Sequence, residues 1–483
     1  MPNNETAQQR PLVDGESRRE ADVVVLGAGA AGVAAAISAA RRGARTLLVE
    51  AGALPGGELI SGMAIDGALN GHGEWVLGGV GREILAECER LGGYVGPLND
   101  FRLIWYVCID PEIMKLAIIR CLAAAGVELL LHTVATDVSV DGRQVRALGL
   151  LNKSGRTTVH APLFIDCSGD AELVRSAGGE VLKGGSDGEF QPVSMMFRMA
   201  GVDTPRLLAF LREHPQHFAL GESAAIRAQR TDRQLAEAAS AQGQPTVFLK
   251  GDGPLLQAAI GRGDLYPTAL IMIQPTSTAR REVCLNTTRV GGIDATDTAR
   301  LSGTLGTLAD QVRQCAAFMN RFVPGFEAAA VSGIAGRIGV RETRRIVGLA
   351  ELTQDDVLTA RKRDDGIGKG SHHVDIHQSG TGQVRIPVAD GGSYDIPWGC
   401  QLPLAIDNVA VAGRSLSSDR GANGSARVMG PCMAMGQAAG TAAAMLLERA
   451  DGSGTGGPSF ASLAVQALRA RLRDDGAVLD GTR

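Results

Sequence analysis

Val23-Val24-Val25-Leu26-Gly27-Ala28-Gly29-Ala30-Ala31-Gly32, then a run of small residues, then Thr46-Leu47-Leu48-Val49-Glu50, reads as strand, glycine turn, helix, strand and acid. Such a unit can seat a dinucleotide, because the backbone N–H groups and dipole at a helix N-terminus favour an anion. Gly27 permits the sharp turn, Gly29 lets the backbone approach the phosphates, and Gly32 lets the helix pack close to the strand. Glu50, twenty-three residues after Gly27, falls where a carboxylate accepts hydrogen bonds from ribose hydroxyls. A bare G-x-G-x-x-G is weak; with its strand, Ala-rich helix and correctly spaced acid it is specific.

The 483 residues exceed one ordinary core, so two domains are expected. With 45% hydrophobic and 21% charged residues the composition is that of a globular protein. The net charge of -4 gives no electrostatic reason for nucleic-acid or membrane partners, and no stretch has the length of a membrane helix. Eight scattered cysteines contain no C-x-x-C pair, which points to free thiols in a reducing compartment rather than to a zinc knuckle. Met1 to Glu20 is polar and lacks the apolar region of a secretion signal, so a disordered lead-in and a cytoplasmic location are expected.

The expected fold is α/β, with a Rossmann-like dinucleotide-binding domain of discontinuous segments and an inserted α+β substrate or cap domain. Residues 21–182 form the first part of the dinucleotide-binding domain, 183–350 the insert and 351–450 the last part. The tail, 451–483, begins Gly-Ser-rich and carries an amphipathic helix from Phe460 to Leu472. Asp110 with Pro111 marks a helix start, Asn152-Lys153-Ser154-Gly155 a hairpin, and Gly430-Pro431 the start of a long small-residue helix. Met195, Met196 and Met199 are expected in the core.

Three glycine turns far apart in sequence end strands: Gly27 to Gly32, Ser168-Gly169-Asp170, and Ala412-Gly413-Arg414. Ligands collect where parallel strands deliver their carboxyl ends. A long ligand, FAD rather than NAD, suits three such ends, and Gly56-Gly57 soon after Glu50 adds a further close backbone approach. The N-terminus of the last long helix, near Met429, would stabilise negative charge on a reduced flavin.

On Val23 to Gly32, Gly56-Gly57, Asp110-Pro111-Glu112, Phe164 to Ala171, Gly339 to Ile346, Val411 to Arg414 and, most specifically, Gly424 to Gly440, the chain resembles FAD-dependent oxidoreductases. The resemblance is to soluble, stand-alone relatives of the fumarate reductase and succinate dehydrogenase flavoprotein. It implies FAD contacts at Gly27, Gly29, Ala30, Ala31, Gly32, Glu50, Ala51, Gly56, Gly57, Val134, Gly169, Asp170, Gly413, Arg414, Arg427, Val428 and Met429. Such sequences often carry Thr-His-Glu after the Gly-Arg turn; here Asp419, Arg420 and Gly421 stand there, so that histidine is missing.

The candidates for chemistry are Arg344, Arg341, His377 and Arg420. Arg341 and Arg345 stand at i and i+4 of one short helical run, with Arg344 beside them, as an anion clamp or an ion-pair anchor for the insert. His373, Asp375 and His377 share a face of an extended segment, and His377 is the favoured proton-transfer residue. His72 is read as exposed, and no metal site is assigned. The expected function is hydride transfer between a small polar organic substrate and flavin, with an external electron donor or acceptor. An oxygen-using monooxygenase or oxidase is the alternative, and a non-catalytic FAD-binding redox module is the alternative of another class. Homo-oligomerisation is left open.

Overall fold

The computed structural model describes residues 16–185, 188–378, 380–449 and 457–482, so the Gly-Ser-rich start of the tail and most of the lead-in lie outside the described residues. Its centre is a five-stranded parallel sheet in the order Val409–Val411, Leu163–Asp166, Val23–Leu26, Thr46–Val49, Glu128–Leu130. The first four strands are buried along their whole length, which is why they read as unbroken apolar runs. Val23 and Val25 face a core shared with the helices, while Val24 and Leu26 face Leu148, Leu150 and Val159 of an antiparallel meander.

The meander has the order Glu16–Glu20, Gly155–His160, Gln144–Asn152, Val134–Asp141. Its first member corrects the expected lead-in: residues 16–20 pair in parallel with Arg156 to His160, because the outer strand offers an edge to be paired.

The helix Ala30–Ala40 crosses the long helix Met429–Arg449 at unusually short range, and two glycines make that crossing possible. A Cβ on Gly436 would lie 2.0 Å from the Ala31 carbonyl oxygen, and one on Gly440 2.1 Å from that of Ala35. Gly440→Leu is therefore expected to lower unfolding free energy by about 3 kcal/mol or more, read as a shift of the denaturant midpoint; an unchanged midpoint would mean that the helices separate at little cost.

Between the two parts of this unit, a second five-stranded sheet, wholly antiparallel, runs in the order Val247–Lys250, Leu270–Ser277, Glu282–Asn286, Phe197–Ala200, Ala330–Ile334. It has its own core. Arg280 pairs with Asp110 at 2.8 Å and Arg198 with Glu112 at 2.7 Å, tying the insert to the start of the helix Pro111–Ala124. Asp110 also caps that helix by accepting the Glu112 N–H. The tail helix is shorter than expected from Phe460 to Leu472: a single 3-10 turn, Phe460–Ser462, precedes the helix Val465–Asp474.

Candidate active site

One cavity of about 680 Å3 runs from the carboxyl ends of the parallel strands to the face of the antiparallel insert. At the strand end the three glycine turns converge. Gly27, at φ +94°, lies so close to Cys167 that a Cβ would stand 2.5 Å from its carbonyl oxygen, and a Cβ on Gly32 would stand 1.8 Å from the Gly27 oxygen. Gly29 differs: an added Cβ meets nothing within 4 Å, and the residue lines the cavity. Two glycines thus close the turn, and the third leaves a backbone cradle open at the helix N-terminus.

The Glu50 carboxylate accepts the Ala28 N–H at 2.8 Å and the Gly52 N–H at 2.7 Å, which fixes it at the cavity wall. Arg414 locks the second and third turns together. Its guanidinium donates to the Gly169 carbonyl at 2.8 Å, to the Asp170 carboxylate at 2.8 Å and to the Val340 carbonyl at 2.5 Å. Asp166, at the base of the second turn, accepts from the Ser168 hydroxyl and from the N–H groups of Ser168, Leu173 and Val174. Arg414→Met is expected to separate these turns and cost about 1–3 kcal/mol of stability, with weaker cofactor retention on gel filtration; unchanged retention would make Arg414 a surface tether only.

The far end of the cavity is polar and crowded with histidine and arginine. His372 and His373 stack with ring centroids 4.0 Å apart. His372 Nδ1 meets the His373 carbonyl at 2.8 Å, and its Nε2 lies 3.7 Å from Asp66. Burial, with His372 alongside, holds His373 well below the usual histidine range, and its Nδ1 is buried without a partner. His377 Nε2 is 2.8 Å from the Asp375 carboxylate, and Gln383 Nε2 lies 2.7 Å from its Nδ1. Burial pulls His377 down to about 4, so the ring is neutral at pH 7 and its Nε2–H donates to Asp375.

That shift has a sign. A histidine near 6.5 when unfolded and about 4 when folded contributes stability that is lost as pH falls between those values. Between those limits the native protein is expected to lose on the order of 2 kcal/mol more than His377→Gln, read from paired unfolding curves; parallel curves would show that the ring titrates freely.

The sequence profile of FAD dependent oxidoreductases matches residues 22–472, nearly the whole described chain. The chain belongs to that family. Sarcosine oxidase subunit alpha of Rhizobium meliloti is 57% identical over 47 residues, a match spanning 10% of this chain and only 5% of that relative's length. Among solved structures, a geranylgeranyl bacteriochlorophyll reductase-like protein of Thermoplasma acidophilum aligns over 95% of this chain and 85% of its own, at TM-score 0.44 and 13% identity. The p-nitrophenol 4-monooxygenase of Pseudomonas putida DLL-E4 aligns over 95% and 81%, at TM-score 0.43 and 11% identity.

As a member of this FAD-dependent family the protein uses FAD, and the backbone at Gly29 leaves space that a side chain there would fill. Gly27, Gly29, Ala30, Ala31, Glu50, Ala51, Gly57, Val134, Gly169, Asp170, Gly413, Arg414, Arg427, Val428 and Met429 all line the cavity. Gly32 and Gly56 do not: Gly32 packs on Gly27, and the Gly56 N–H donates to Ala28 while its α-carbon faces Ile60 and Ile118. At the start of the helix Met429–Arg449 the Asp66 carbonyl accepts the Gly430 N–H, so that one of the N–H groups there already has a partner.

Two expectations about chemistry are corrected. Arg341, Arg344 and Arg345 do not share a helix face. Arg344–Ile346 is a strand paired with Val181–Lys183, so its neighbours alternate. Arg341 and Arg344 both line the cavity, and Arg344 donates to the Asp170 carbonyl at 3.1 Å, beside the second glycine turn. Arg345 is buried on Glu342.

Arg420 is not part of the cavity lining: its guanidinium pairs with the buried Glu342 at 3.1 Å, across the loop that also carries Arg345. Met195, Met196 and Met199 are buried in the core as expected, and Met196 also lines the cavity. His72 is exposed, as expected, its Nε2 at 2.6 Å from the Asp390 carbonyl.

Sequence reasoning missed Asp66, Arg102 and Tyr106. The Asp100 carboxylate accepts the N–H groups of Arg102, Leu103 and Ile104 at 2.8, 2.7 and 3.0 Å, turning Arg102 inward. The Asn99-Asp100 pair is a turn signal that could have drawn attention to this loop.

Proposed function

We propose that this protein is an FAD-dependent dehydrogenase or reductase of a small polar organic substrate, in the branch related to the fumarate reductase and succinate dehydrogenase flavoprotein. Bound in the cradle, FAD supplies a two-electron carrier that exchanges hydride with a substrate carbon at N5. The observation that carries this reading is His373, a neutral buried imidazole on the cavity wall with an unpartnered Nδ1. A neutral imidazole beside the reacting carbon takes or returns the proton that accompanies hydride.

The other residues hold this arrangement. His372, stacked on His373 and reaching towards Asp66, fixes the plane of the ring pair. His377, whose ring nitrogens face Asp375 and Gln383, positions rather than exchanges protons. Burial keeps the Tyr106 phenol protonated, a donor for a substrate oxygen. Arg341 and Arg427 bring charge to the same wall. No second glycine-rich dinucleotide motif is seen in the sequence, so an external donor or acceptor closes the cycle. All eight cysteines are free, which fits a reducing, cytoplasmic setting.

Anaerobic mixing of the FAD-loaded protein with a panel of small polar alcohols, amines and acids tests the reading. Bleaching of the visible flavin band by a subset, without oxygen, supports it. No bleaching, together with substrate hydroxylation when oxygen is admitted, would contradict it and favour a monooxygenase.

A further inference from the structure

We infer that the substrate of this site is a monocarboxylate with an apolar body; this deepens the dehydrogenase or reductase reading and rests on it. Arg341 and Arg427 both line the cavity. One terminal nitrogen of Arg341 is held by the Pro192 carbonyl at 2.7 Å and the Ser194 hydroxyl at 3.0 Å. Arg427 is less satisfied. Its Nε is buried without a partner, and its long contacts are 3.3 Å to Gln191, 3.4 Å to the Asp375 carbonyl and 3.9 Å to the Asp375 carboxylate. The Asp375 carboxylate is itself committed to His377.

Arg289 stands behind Arg341 and repels it, as Arg427 does, while Asp375 and Glu58 are the carboxylates that attract it. Asp66, which faces Arg427 and His372, is pushed by burial towards its neutral form. Asp66 and Glu342 also attract Arg427, whose carboxylate contact is the long one to Asp375 at 3.9 Å. Arg102 and Arg385, by contrast, share Glu222 at 3.0 and 2.9 Å, and Asp100 attracts Arg102 as well. A buried cation without a counter-ion is costly, and a ligand carboxylate removes that cost with charge-assisted hydrogen bonds.

The facing wall is apolar. Met63, Tyr106, Phe248, Leu270 and Met272 line the same cavity and belong to one hydrophobic cluster between the insert and the cofactor-binding unit. Arg102 lies over the Phe248 ring at 4.6 Å. A compact dicarboxylate would leave this wall in water.

Calorimetric titration of the FAD-loaded protein with three probes decides the matter: phenylacetate, phenylacetamide with the same body and no charge, and succinate with charge and no apolar body. Phenylacetate is expected to bind at least about tenfold more tightly than either. Arg341→Gln should remove about tenfold or more of that affinity and leave phenylacetamide unchanged. Phe248→Ala should weaken phenylacetate and leave succinate unchanged, with FAD content measured in each variant.

Equal binding of acid and amide, tighter binding of succinate, or an unmoved phenylacetate affinity in Arg341→Gln each overturns the inference. Flavin bleaching by an uncharged compound, with no phenylacetate binding, would sink the substrate class while leaving the dehydrogenase or reductase reading intact.

Discussion

Gly29→Val yields a folded protein that has lost FAD. The α-carbon of Gly29 faces open cavity, its φ of -73° suits any L-residue, and an added Cβ meets no protein atom within 4 Å. The fold therefore has no reason to reject valine, and unfolding curves should overlay those of the native protein. The cofactor does have a reason, because the side chain would fill the space where the backbone must touch the pyrophosphate. Affinity is expected to fall by about a hundredfold or more, equivalent to losing two or more good hydrogen bonds. Gly32→Val is the contrasting case: its Cβ would overlap the Gly27 carbonyl oxygen at 1.8 Å, so folding itself should fail. If Gly29→Val retains FAD at native affinity, the cradle is not the pyrophosphate site.

His373→Asn should lower the rate of flavin reduction or reoxidation by substrate by about 10²–10⁴-fold, the usual worth of a positioned proton-transfer group. FAD should remain bound, because His373 lies at the end of the cavity away from the glycine turns. The comparison variant is His377→Gln, whose effect should be smaller because both ring nitrogens already face protein partners. Equal losses in the two variants would assign the proton to the Asp375–His377 pair instead.

The cofactor end was legible because its constraints are local. A turn that needs φ +94° at Gly27 and a helix that touches its own strand at Gly32 leave glycine in fixed register, and that spacing survives in one sequence. The buried strands announced themselves as short apolar runs for the same reason. The substrate end was not legible to that degree. Arg341 and Arg345 carry charge at helical spacing, yet the conformation of Arg344 to Ile346 is set by pairing with Val181–Lys183, some 160 residues earlier, and no periodicity reports a distant partner.

Arg420 follows the cap residue Asp419, and the buried carboxylate that captures it, Glu342, comes from a distant part of the chain. Arg102 and Tyr106 gain their meaning from Phe248 and Glu222 of the insert, which meet them only after the two units dock. The unpartnered Nδ1 of His373 is not legible in sequence, because the stacking on His372 and the burial around it are tertiary.

A crystal structure of the FAD complex tests the central claim most directly. The account predicts the pyrophosphate against the backbone at Gly29 to Ala31, the adenosine ribose at Glu50, and the ring system between Val428-Met429 and the His372–His373 stack. A ring system lying outside that wall, or a pyrophosphate that does not touch the Gly29 backbone, would contradict it.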